Sequence, residues 1–117
     1  MTEVYIIEGE ELKSGDTEPD LVVKLRKDNA NVFDLSGTPT VSFYMKEVDE
    51  DTLAVDDDTN GNVSIEDAST GKVSYSWQSG DTDIAGTYFF EFAVDDGETR
   101  TFPNNGYGEI RIQEALQ

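Results

Sequence analysis

Two residue types are missing from this chain altogether. Without cysteine there are neither disulfides nor thiolate metal sites. Without histidine, every His-based catalytic triad and zinc site is excluded. Basic residues are scarce: eight Lys and Arg face twenty-six Asp and Glu, for a net charge of −18. A nucleic-acid surface needs a basic patch, and anionic lipid also attracts basic segments, so neither nucleic acid nor membrane is expected as a partner. No apolar run approaches the roughly 18 residues that span a bilayer. The N-terminus, Met1 to Glu8, has no basic start, long apolar stretch or small-residue cleavage site, and does not read as a signal peptide. No G-x-S-x-G elbow accompanies the many serines. Paired carboxylates can hydrolyse glycosides, but among twenty-six of them chance proximity is expected and carries no information. The chain therefore reads as a non-enzyme.

What is present is period-two alternation, the mark of strands with one buried face. Leu21, Val23 and Leu25 alternate with Val22, Lys24 and Arg26; Val41, Phe43 and Met45 alternate with Ser42, Tyr44 and Lys46. Val63 and Ile65 flank Ser64, and Val73, Tyr75 and Trp77 alternate with Ser74 and Ser76. Tyr88, Phe90, Phe92 and Val94 alternate with Phe89, Glu91 and Ala93, while Ile110 and Ile112 flank Arg111. A leading strand near Val4–Glu8 and short ones near Thr52–Val55 and Glu98–Phe102 complete the set. Turn dipeptides separate these runs, and Asp96-Gly97 is the clearest hairpin, because such pairs supply the positive φ of tight turns. The predicted core is Val23, Leu25, Val41, Phe43, Val73, Tyr75, Trp77, Tyr88, Phe90, Phe92 and Ile110. Residues 1–117 fit one all-β domain, with an N-terminal strand and arm over 1–20 and a polar loop at Glu8–Asp20. So high a charge often signals disorder, but here the acidic residues interrupt strands that carry six Phe, five Tyr and one Trp. A high-salt habitat is the preferred explanation, and an acidic binding face the other.

Three local patterns point to function or architecture. Asp56 to Asp67 reads DDDTNGNVSIED, similar to a calcium loop of the EF-hand kind. Asp56, Asp58, Asn60, Asn62 and Asp67 are the candidate ligands, with Gly61 at the sharp turn. The same run reads as a hairpin tip at Asn60-Gly61, favoured by the lack of flanking helices and of the usual final Glu. No cofactor other than that calcium ion is suggested. Gly86-Thr87-Tyr88 opening a long strand resembles the tyrosine corner of an immunoglobulin-like antiparallel β-sandwich, with Phe90 in the place of the disulfide cysteine. Tyr5, Tyr44, Phe89 and Tyr107 are candidates for an exposed interface, because their strand neighbours read as buried.

Several segments in order resemble a known family. They are Gly15 to Leu21 (GDTEPDL), Val32 to Gly37 (VFDLSG) leading into Val41 to Met45 (VSFYM), Gly71 to Trp77 (GKVSYSW), Gly80 to Tyr88 (GDTDIAGTY) and Phe102 to Tyr107 (FPNNGY). This order is similar to the N-terminal domain of the phage baseplate upper protein family, an immunoglobulin-like module of tailed viruses. The resemblance spans about residues 13–113. It implies a virion structural protein, in a baseplate, tail or capsid decoration, assembling with other virion proteins and as a homo-oligomer within the particle. Combined with the charge, it implies a virus of a halophilic host. It supplies no catalytic residues to carry over. A soluble ligand-binding module, calcium-dependent and carbohydrate-directed, is the first alternative, and an acidic decoy for a basic partner the second.

Overall fold

The computed structural model describes residues 1–57 and 62–116. Its strands are β1 (Glu3–Glu8), β2 (Glu11–Lys13), β3 (Leu21–Arg26), β4 (Thr40–Glu47), β5 (Val55–Asp57), β6 (Val63–Asp67), β7 (Lys72–Tyr75), β8 (Gly86–Asp95), β9 (Thr99–Phe102) and β10 (Gly108–Gln113). They form two sheets, β1-β3-β7-β6 and β2-β10-β8-β4-β5, with β9 also on β8. Two facing sheets in this order make a single-domain, immunoglobulin-like β-sandwich. Among the described residues all strand pairings are antiparallel except the parallel one between β2 and β10.

The alternation in sequence becomes the two inner faces. Every residue of the predicted core is buried, and Val23, Leu25, Phe43, Val73, Phe92 and Ile110 are fully so. Phe43 on β4 is the aromatic centre, stacked on Tyr75 from the other sheet with ring centroids 4.4 Å apart. It also touches Phe92 at 5.0 Å and Trp77 at 6.1 Å. Removing one such side chain from water contributes on the order of 1.5–3 kcal/mol. The Tyr75 hydroxyl donates to Asp81 at 2.6 Å, so this inward phenol keeps a partner at its polar tip. The indole Nε1 of Trp77 has none among the described residues.

The tyrosine corner is present: the Tyr88 hydroxyl donates to the Ile84 carbonyl at 2.6 Å, closing the turn into β8. Burial, and secondarily the charge of Glu47, raises the Tyr88 phenol above its usual pKa, so it stays a neutral donor. Phe90, two residues on, is buried in the core.

The N-terminal segment departs from expectation. The leading strand expected near Val4–Glu8 is β1, but Glu8–Asp20 is not simply a polar loop. β1 pairs with β3 in one sheet, and β2 crosses to pair with β10 in the other. Gly9 makes the crossing with φ 91°, and a Cβ there would lie 2.4 Å from the Asp20 carbonyl oxygen. Leu12 is the one buried residue of β2. The strand expected near Thr52–Val55 instead runs Val55–Asp57, and a single 3₁₀ turn at Ala68–Thr70 was not anticipated.

Candidate functional site

The outer face of the second sheet gathers most of the expected interface residues. Inward and outward positions alternate along a strand, so β8 turns Phe89 and Glu91 away from the core and β4 does the same with Tyr44 and Lys46. The register sets Phe89 opposite Lys46 on β4 and Glu109 on β10, and Tyr44 opposite Glu91. Tyr107 then arrives from outside the strands and stacks on Phe89, with centroids 5.0 Å apart and planes 17° from parallel. Tyr44, Leu53, Phe89 and Tyr107 line one depression of about 210 Å3. Tyr107 is 58% exposed and Leu53 48%. The fourth expected residue, Tyr5, is exposed but lies on β1 in the opposite sheet, apart from this cluster.

A break in the sheet edge brings Tyr107 here. β10 pairs with β8 from Gly86 to Phe90, and β9 resumes the pairing from Phe92 to Asp95 on the same flank. Residues 103–107 lie between them as a bulge beside Glu91, the position on β8 where neither strand pairs. Contacts from the N-terminus fix the bulge. The Thr2 hydroxyl donates to the Thr101 carbonyl at 2.5 Å, and the Thr2 N–H donates to Asn104 Oδ1 at 3.2 Å. Near the start of β9, Arg100 pairs with Asp96 at 2.8 Å and with Glu98 at 3.2 Å. Its guanidinium also sits over the Phe33 ring, 5.4 Å from the centroid. Partial burial holds the Glu91 carboxyl above its ordinary pKa. Neither Glu91 nor Leu53 was singled out from sequence. Glu91 had a readable signal, an acidic residue in an outward position between Phe89 and Ala93; Leu53, isolated in an acidic loop, had none.

Of the suggested calcium ligands, Asp58 and Asn60 lie outside the described residues, as does Gly61. Asp56 is on β5 in the second sheet, whereas Asp67 ends β6 in the first. Asp67 caps the 3₁₀ turn: its Oδ1 accepts from the Ser69 hydroxyl at 2.9 Å and from the Ser69 N–H at 3.2 Å. The Ser69 hydroxyl is the main cause of a lowered Asp67 pKa. The Asn62 carbonyl accepts from the Ser76 N–H. No cluster of three or more acidic ligands fit for a metal occurs among the described residues. No helix among them is long and apolar enough to cross a membrane.

No known protein-family model matches the chain, and no curated protein matches it.

Proposed function

We propose that this chain is a structural component of a tailed-virus particle, in its baseplate, tail or capsid decoration, which works by protein–protein assembly and not by catalysis. The observation that carries the reading is the outward aromatic cluster of Tyr44, Phe89 and Tyr107 with Leu53 on a broad sheet face. Aromatic residues are enriched where interfaces bury their energetic centres. Five strands side by side span about 24 Å, and the ten residues of β8 about 34 Å. Because the flanking strands are shorter than β8, the strands cover about 550 Å2, the larger part of the roughly 800 Å2 that one partner gives a standard interface. The resemblance to the baseplate module supplies the viral context, with other virion proteins and further copies of the chain as partners. The −18 charge fits a particle from a high-salt habitat. Mass spectrometry of purified particles tests the reading: the chain is expected among the structural proteins in many copies, and its absence would reject a virion role.

A further inference from the structure

We infer that the 103–107 bulge, with the strands facing it, forms a binding subsite for a neutral saccharide, with Tyr107 as its stacking platform. The inference goes beyond the proposed assembly role and does not rest on it. Phe89 covers one face of the Tyr107 ring at 5.0 Å. A hollow of about 560 Å3 is lined by Tyr107 but not by Phe89, and Tyr107 is largely exposed, which leaves ring surface for a ligand. That volume falls within the roughly 300–1,000 Å3 of small-molecule sites.

The other lining side chains suit a polyhydroxylated ligand. Thr2, Thr99 and Thr101 bring hydroxyls, Asn104 an amide and Glu91 a carboxyl. Asn104 Oδ1 is taken by the Thr2 N–H, which leaves its NH2 group to donate. A sugar ring presents C–H groups on its faces and hydroxyls around its rim. The weakly positive C–H groups match the negative face of an aromatic ring, and the rim hydroxyls match mixed donors and acceptors. A pyranose therefore uses both halves of this lining at once.

Charge narrows the class. A protein of −18 repels acidic sugars, nucleotides and free phosphate. Arg100 also lines the hollow, but its guanidinium is already held by Asp96 and Glu98 and lies over the Phe33 ring. A basic peptide could stack on Tyr107 through a cation–π contact, but it would meet one carboxyl among mostly neutral groups. Glycoside cleavage uses two carboxyl groups in most enzymes, and Glu91 is the only one in this lining among the described residues; the subsite holds a sugar without cutting it. The wall is ordered in advance, with Tyr107 backed by Phe89 and the bulge tied to Thr2, which lowers the ordering cost of binding.

The test is an amide NMR titration of 15N-labelled protein with cello-, malto-, manno- and chito-oligosaccharides, and separately with an Arg/Lys-rich peptide. At least one sugar is expected to give saturable shifts at Glu91, Asn104, Gly106 and Tyr107 with a Kd of about 1 mM. Tyr107→Ala should weaken that binding at least about tenfold while remaining folded, with its other amide signals in place, because the largely exposed side chain gives up only its stacking on Phe89. Tyr5→Ala, an exposed tyrosine on the other sheet, should bind as the parent does. No shift with any sugar, equal binding by Tyr107→Ala, or shifts with the peptide alone would each overturn the inference. Detection of the chain in particles, or its absence from them, leaves this result unchanged.

Discussion

Single side chains set both the corner of the sandwich and the chemistry of its outer face. The Tyr88 hydroxyl bonds the Ile84 carbonyl at 2.6 Å, and a neutral hydrogen bond of this kind contributes about 0.5–1.5 kcal/mol net. Tyr88→Phe keeps the buried ring and removes only that bond, so urea melts should show a loss of about 1 kcal/mol with an unchanged m-value. Glu91 carries a pH dependence of the opposite kind to most carboxylates. Burial raises its pKa in the folded state, so its contribution is fully present below the unfolded value and is lost as pH rises through the folded one. Glu91→Gln should therefore melt higher than the parent at pH 7 and alike near pH 4. Glu109→Gln, which removes the same charge from an exposed position on the same face, sets the baseline for charge alone. Asp28, Asp34, Asp67 and Asp96 have lowered pKa values through local hydrogen bonds. Their stabilisation is present above the unfolded pKa and is lost as pH falls.

At the scale of elements, Gly9 is the joint on which the N-terminus changes sheets. Its φ of 91° and the Asp20 carbonyl oxygen 2.4 Å from any Cβ leave no room for a side chain. The backbone conformation alone costs a non-glycine residue about 1–3 kcal/mol. Gly9→Ala should lower the melting temperature by several degrees, whereas Gly97→Ala, also at positive φ but with open space around it, should lower it less. Thermal melts of the two variants check this. The same joint shows where sequence reading stopped. β3, β4 and β8 were legible because several inward apolar residues alternate with polar ones, as in Phe90, Phe92 and Val94. β2 offers one apolar residue, Leu12, between Glu11 and Lys13, too few to show a period. Leu35 is buried from a loop with no period at all. At the outer face, Tyr44 and Phe89 could be read from strand parity. That Tyr107 would fold onto Phe89 could not, because it depends on the break between β9 and β10 and on Thr2, about a hundred residues away in sequence.

For the whole molecule, charge is the dominant long-range term. A sphere with the observed radius of gyration, 13.7 Å, has a radius of about 18 Å. The Debye length is about 10 Å at 0.1 M salt and about 3 Å at 1 M. Spreading −18 over that sphere gives a self-repulsion of roughly 13 kcal/mol at the lower salt and roughly 5 at the higher. The difference, about 8 kcal/mol, is an upper bound, because the unfolded chain also repels itself; it still matches the typical 5–15 kcal/mol of a domain's stability. The melting temperature should climb steadily from 0.1 to 3 M KCl, and a flat series would remove the high-salt reading. A rise already complete at millimolar calcium would instead indicate a saturable ion site at Asp56–Asp67.

The proposed assembly in a virus particle through the outer face of the second sheet is tested most directly by a photo-reactive phenylalanine analogue placed at Phe89 in purified particles, with the same analogue at Ser64 on the first sheet as control. Irradiation followed by mass spectrometry should yield a cross-link from position 89 to another virion protein or a second copy of the chain, and little from position 64. Cross-linking from 64 but not from 89, or from neither, would contradict assembly through this face.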